Sequence, residues 1–294
     1  MTAATIAAAL GDARREGHAW RCRCPLHGGR SLTLRDGEGG RVLVTCWGGC
    51  DRRDVIAELC ARGLLGKRPD YQCRIPAPRQ ADDDDDARRI MRARRIWDGT
   101  LPAIDSPAAQ YLARRGIELD PWPASLRWHP NCPRPDGKRM PAMVAVVEHV
   151  TRGVIGIHRT YLTPDFRRHD RATRGLIGGG AVWLGTPRAG EWLAIGEGIE
   201  TTASVASACA MAGWAALSAG GIRSLILPSA ATHVAIIADH DASGVGARAA
   251  HDAAARWLAE GRRVRIAIPP ESDTDFNDVL LGKSSAITEA QDVG

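Results

Sequence analysis

The sequence predicts an α+β multidomain chain. Three observations carry that prediction. Cysteines and a histidine cluster among glycine-broken, strand-like pieces in the first 65 residues; a block from 88 to 190 is rich in arginine and holds a hairpin pattern; and from residue 191 short apolar runs alternate with helical segments. At 294 residues, 44% hydrophobic and 25% charged, the chain is long enough for more than one core. The expected divisions are a small N-terminal domain at 1–65, an acidic, proline-containing linker at 66–87, a basic α+β domain at 88–190, an α/β domain with a parallel sheet at 191–282, and a tail at 283–294.

In chain order, residues 2–16 read as a short helix, with Ile6 and Leu10 one turn apart and Gly17 at its end. Ser31–Leu34 and Arg41–Thr45 alternate like hairpin strands around Asp36–Gly40. Residues 51–64 read as a helix, with Val55, Ile56 and Leu59 on one face. Periodicity then stops. Pro69, Pro76 and Pro78 precede the run Asp82–Asp86, which reads as solvated linker rather than a metal site. Residues 88–98 form a basic amphipathic helix, another helix falls at 107–115, and Met143–Val150 with Val154–Leu162 make a hairpin around Thr151-Arg152-Gly153. Strands follow at Trp192–Ile195, Ala215–Leu217, His233–Ala238 and Val264–Ile268, with helices at about 200–212 and 244–260. That alternation predicts a parallel sheet covered by helices.

The net charge of +5 is unevenly spread. Residues 1–65 carry a net +3, 66–87 a net −2, 88–190 a net +10 (18 basic and 8 acidic groups) and 191–294 a net −6 (7 and 13). A basic block suits a polyanion partner, and an acidic one beside it suits divalent metal. Only three basic residues are lysine against 36 arginines, a bias that GC-rich codon usage accounts for. No run of about 20 apolar residues exists, which predicts no membrane-spanning helix. Met1–Gly17 has no apolar core behind a basic start, which predicts no secretory signal. A cytoplasmic chain with reduced cysteines is expected.

Cys24-Pro25-Leu26-His27 is followed by Cys46-Trp47-Gly48-Gly49-Cys50. Two short-spaced ligand pairs on two turns, joined by a hairpin, can offer zinc a tetrahedron. In a 65-residue domain with a small core, metal would supply much of the folding energy. The alternative is unligated buried cysteines beside a surface histidine; Cys22 is an alternative ligand or an accidental neighbour, and Cys60, Cys73, Cys132 and Cys209 read as packing residues. Residues 18–64 resemble the zinc-binding domain of bacterial and phage DNA primases, which carries Cys-Pro-x-His and a later cysteine pair. The departure is three residues, not two, between Cys46 and Cys50. The resemblance implies an N-terminal zinc ribbon with Cys24, His27, Cys46 and Cys50 as ligands.

Three acidic pieces stand out further on. Trp192–Gly196 ends in Glu197 between two glycines; His233–Ala238 ends in Asp239-His240-Asp241; and Asp273-Thr274-Asp275-Phe276-Asn277-Asp278 follows the last strand. In open α/β sheets ligands bind at the carboxyl ends of the strands. Converging carboxylates repel, and Mg²⁺ or Mn²⁺ relieves that repulsion while orienting phosphates. The rival for Asp239 and Asp241 is helix capping; for Asp275 and Asp278 a loop or cap role is as good a reading as metal. Residues 191–282 look like the Toprim domain of primases, topoisomerases, some nucleases and recombination mediators, on the motifs Gly196-Glu197-Gly198-Ile199-Glu200-Thr201 and Asp239-His240-Asp241-Ala242-Ser243-Gly244. The resemblance implies Glu197 as general acid/base and Asp239 and Asp241 as Mg²⁺ ligands. Asp275–Leu280 resembles a motif of plasmid and prophage Toprim proteins.

The basic block suits a single-stranded template. Lys138 and Arg139 on a loop, and Arg159 with Tyr161 on the hairpin, are the candidate contacts, as cations for phosphates and an aromatic for base stacking. The order of ribbon, basic block and Toprim resembles a primase, which implies primer synthesis from ribonucleoside triphosphates on single-stranded DNA. A Toprim nuclease, or a non-catalytic clamp like a recombination mediator, is the alternative. No Gly-x₄-Gly-Lys-Ser/Thr loop is present, so any helicase would act in trans. By the same resemblance, the host is a plasmid, prophage or integrative element.

Overall fold

The computed structural model describes residues 1–26, 28–37, 40–46, 50, 52–65, 83–240, 244–272, 274–283 and 291–292. They fall into two compact units, one of Met1–Arg79 with Ser218–Gly220, the other of Gln80–Leu217 with Gly221–Gly294.

The first unit begins with α1 (Ala3–Leu10), capped by the Thr2 hydroxyl, which accepts from Thr5 N–H at 3.3 Å. Ala3, Ile6 and Ala7 form its buried face. The helix stops at Gly11, whose φ of +85° no helix accommodates. The expected helix to residue 16 is therefore shorter, and β1 (Arg14–Glu16) takes its end, pairing with β2 (Ala19–Cys22). Next come β3 (Leu32–Asp36), β4 (Val42–Cys46) and α2 (Arg52–Ala61). The sheet is antiparallel in the order β1-β2-β3-β4. Leu32, Leu34, Val42 and Val44 alternate inward onto Ile6, Val55 and Leu59.

The second unit opens with α3 (Asp83–Asp98). Here the aspartate run departs from the linker reading: α3 starts within it, and the carboxylates of Asp84, Asp85 and Asp86 near a helix start suit the macrodipole. Residues 66–82 of the expected linker lie outside the described residues. After β5 (Leu101–Pro102) and α4 (Pro107–Ala113) come β6 (Leu126–Pro133), β7 (Arg139–His149), β8 (Gly153–Leu162) and β9 (Arg168–Gly175), an antiparallel sheet in the order β5-β6-β7-β8-β9. Both faces are covered. Val144 and Ile157 pack with Ala93, Ile96 and Trp97 of α3. Met143 and Ala145 pack with Tyr111 and Leu112 of α4.

A third sheet follows, from β10 (Val182–Trp183), β11 (Trp192–Gly196), α5 (Ile199–Ala208), β12 (Ala212–Ala215), α6 (Ala219–Ser224), β13 (His233–Ile237), α7 (Val245–Ala259), β14 (Arg263–Ala267), α8 (Phe276–Leu280) and β15 (Gln291–Asp292). Its order is β10-β12-β11-β13-β14-β15, parallel through β12, β11, β13 and β14 and antiparallel at both edges. Leu193, Ile195, Val234 and Ile236 are buried against Ala250, Ala254 and Trp257 of α7. Residues 181–185 tie the two sheets together. Ala181 bridges to Glu148 of β7, the Ser125 hydroxyl donates to Trp183 O, and the Trp183 ring stacks on Trp214 at 4.5 Å. Among the described residues no helix is long and apolar enough to cross a membrane.

Candidate functional site

Cys24 follows β2 and is buried. A tight turn fixes it: Gly28 N–H donates to Cys24 O at 2.9 Å and Cys24 N–H to Gly29 O at 2.8 Å, with Gly28 at φ +72°. Cys46 ends β4, and Cys50 precedes α2. The Cys24 Sγ lies 3.6 Å from that of Cys46 and 3.8 Å from that of Cys50, and all three fall within 4.8 Å of one another. A disulfide would need about 2.05 Å. Corners of a tetrahedron with Zn–S near 2.3 Å stand about 3.8 Å apart, so the trio fits zinc. The Cys24 thiol is driven far above its ordinary pKa, first by its hydrogen bond with Cys46 and then by burial. Three sulfurs so close can ionise together only around a cation. His27, the expected fourth ligand, lies outside the described residues. Cys22 is a packing residue, its thiol pushed up to about 11 by burial.

In the third sheet β11 and β13 are parallel neighbours, with Gly196 opposite Ile237. Glu197 follows Gly196 directly and Asp239 follows Ile237 by two residues, so both carboxylates leave the sheet at one edge on adjoining strands. The crossovers diverge at this point. From β11 the chain passes through α5 to β12 on one side; from β13 it passes through α7 to β14 on the other. Diverging crossovers open a crevice at the strand ends, the usual ligand site of such sheets. Glu197 and Asp239 are both half-buried. Gly196 has no room for a side chain, because a Cβ would run into Thr202 Oγ1.

Beyond β13, His240 N–H donates to Thr274 O at 3.3 Å, and its Nδ1 lies 2.9 Å from Pro269 O. These contacts hold the loop after Asp239. Asp241 lies outside the described residues. Asp275 caps α8, its Oδ1 accepting from Asn277 N–H at 2.8 Å and Asp278 N–H at 3.0 Å. Asp278 lies 3.6 Å from Lys283 Nζ. The structure thus gives both residues a local structural task.

One acidic residue was missed from the sequence as a site residue. Glu200, in the first turn of α5, is buried, and its Oε1 accepts from the Tyr111 hydroxyl at 2.6 Å with Arg168 Nη1 at 3.7 Å. Burial alone would raise its pKa. The Tyr111 hydrogen bond, its own backbone amide and Arg168 outweigh that and hold it below the ordinary value. Its spacing from Glu197 inside the motif was the available signal.

The candidate nucleic-acid contacts divide. Lys138 and Arg139 are exposed. Arg159 and Tyr161 are not: they are 2% and 0% exposed. Arg159 donates to Pro133 O at 2.7 Å and Thr173 O at 3.1 Å, and the Tyr161 hydroxyl donates to Pro133 O at 2.7 Å. This corrects the expectation that they face a template. Strand β8 is flanked by β7 and β9 and covered by α3, so its polar side chains are spent inside. The exposed arginines of this sheet include Arg168, Arg171 and Arg174 on the edge strand β9.

Residues 87–184 match the family model of a domain of unknown function, DUF7146, and residues 192–286 match the Toprim domain. No curated protein matches the chain. Among solved structures it is similar to the zinc-binding and RNA polymerase domains of the Aquifex aeolicus primase, at 15% identity and TM-score 0.44, covering 97% of this chain and 83% of that one. It is also similar to the E. coli primase catalytic core (14%, 0.41, covering 69% and 75%) and a Pseudomonas aeruginosa DNA primase domain (16%, 0.39, covering 62% and 69%). The segment that matches the Toprim domain holds Glu197 and Asp239 at the carboxyl ends of the two middle strands of its parallel sheet.

Proposed function

We propose that this chain is a DNA primase, making short RNA primers on single-stranded DNA by nucleotidyl transfer. One observation carries the reading: Glu197 and Asp239 stand at the carboxyl ends of adjoining parallel strands, at the switch point of the sheet in the segment matching the Toprim domain, in a chain that also holds three convergent cysteine sulfurs. Residues 1–65 serve as a zinc ribbon, 88–190 bind template and 191–282 carry the chemistry. Asp239, together with Asp241, would hold Mg²⁺ or Mn²⁺, which when bound neutralises charge on the nucleotide phosphates. Glu197 accepts the proton of the attacking primer 3′-hydroxyl, or adds a further oxygen to the metal site. Lys138, Arg139 and the β9 arginines offer phosphate contacts that carry no sequence preference. Single-stranded DNA and ribonucleoside triphosphates are the partners, and a helicase would act in trans.

The test is primer synthesis from ribonucleotides on varied single-stranded templates with Mg²⁺ or Mn²⁺. Asp239→Asn and Glu197→Gln should abolish product while the fold persists. No product on any template would sink the reading. Strand cleavage lost in Glu197→Gln, without primer synthesis, would select a Toprim nuclease built on the same carboxylates. DNA binding with neither activity would select a recombination-mediator-like clamp.

A further inference from the structure

Glu197 lies between Gly196 and Gly198, so its own backbone is permissive and its direction must be fixed by neighbours. The usual device is missing. Gly198 is the N-cap of α5 and makes no side-chain cap. What holds the first turn comes from elsewhere. The Thr202 hydroxyl and amide both donate to Gly198 O, at 2.7 and 3.1 Å. Two residues after the cap, the Glu200 carboxylate accepts from the Tyr111 hydroxyl of α4 at 2.6 Å, with Arg168 Nη1 of β9 at 3.7 Å. One turn on, the Ser204 hydroxyl donates to Glu200 O at 2.9 Å. Asn277 Nδ2 of α8 donates to Ser204 Oγ at 3.0 Å and to Arg115 O at 2.7 Å.

A buried carboxylate is a costly way to hold a helix, and an apolar side chain would often be as stable. It does provide direction: a charge held between a hydroxyl and a guanidinium is placed by both. We propose that Glu200 is a positioning residue for Glu197, orienting the turn Gly196–Gly198 through its hydrogen bond with Tyr111. The proposal rests on the primase reading for what Glu197 does, not for how it is held.

Tyr111→Phe removes one donor and no charge. Glu200→Gln keeps an acceptor for Tyr111, and Glu200→Ala keeps none. Two readouts apply to the full chain. Amide hydrogen exchange at residues 197–202 should rise about tenfold in Tyr111→Phe and Glu200→Ala, less in Glu200→Gln, with α7 unchanged. In primer synthesis, Tyr111→Phe should lower kcat about tenfold and leave the nucleotide KM within about twofold. Unchanged exchange in both Tyr111→Phe and Glu200→Ala overturns the proposal, as does a Tyr111→Phe loss carried by KM alone. Should the wild type make no primers while exchange at 197–202 responds as stated, the primase reading falls and the positioning role of Glu200 stands.

Discussion

Acidification should cost this protein stability at one identifiable residue. His158 sits on β8 with 8% exposure, and its Nδ1 is buried without a hydrogen-bond partner among the described residues. Burial drives it from 6.5 down to about 4; Glu200 opposes the change, and Arg171, Arg159 and Arg168 add to it. The folded chain therefore keeps this imidazole neutral where the unfolded chain protonates it. Between those two values the unfolded state binds the extra proton, so stability falls as pH falls, by about 1.4 kcal/mol per pH unit. The contribution is whole above 6.5. By pH 4.5 about 2.5 kcal/mol of it is gone. Glu200 acts in the same sense but lower: its folded pKa is depressed, so its share is whole above the ordinary carboxylate value and fades as pH falls through the folded one. Urea unfolding of wild type and His158→Gln at pH 7 and pH 4.5 isolates the histidine. The wild type should lose about 2 kcal/mol more than the variant between the two conditions. Equal losses, within about 0.5 kcal/mol, would refute the assignment of a neutral buried imidazole.

Other substitutions read other parts of the fold. Chelation, or Cys46→Ser, should release one zinc per chain and strip exchange protection from β2, β3 and β4, as metal analysis with hydrogen exchange would show. Gly156→Ala should cost about 3 kcal/mol in denaturant unfolding, because a Cβ there would stand 2.9 Å from Arg174 O and closer still to Leu176 O, both rigid backbone. Tyr161→Phe should cost about 1 kcal/mol by the same measurement, through the lost hydrogen bond to Pro133 O.

The acidic strand ends were legible because a parallel strand buried on both faces is a continuous apolar run, and a carboxylate after it marks where the chain leaves the sheet. Ile195-Gly196-Glu197 and Ile237-Ala238-Asp239 show that signature plainly. The cysteine spacing was legible for a similar reason, since ligands must recur at turn-sized intervals. Arg159 and Tyr161 misled. A polar residue on a hairpin suggests an open face, and only tertiary packing shows that α3 closes this one. The aspartate run misled in the opposite direction: a charge cluster reads as solvated chain, yet at a helix start the backbone dipole favours it. Glu200 was hidden because its partners, Tyr111 and Arg168, are 89 and 32 residues away and no local pattern joins them.

Strand β10 has a consequence for heredity. It precedes the Toprim segment in sequence, yet it closes that segment's sheet against β12 and stacks Trp183 on Trp214. Leu184 N–H donates to Gly213 O at 2.7 Å, and Trp214 Nε1–H donates to Gly185 O at 3.0 Å, sealing the same seam. A crossover between related genes that fell at residue 190 would give β12 a stranger for a neighbour and leave a tryptophan unmatched. Breakpoints upstream of Ala181 avoid this only by carrying the seam along. Selection would then pass the β10 seam and the acidic sheet from ancestor to descendant as one block, and the two would coevolve at Trp183 and Trp214.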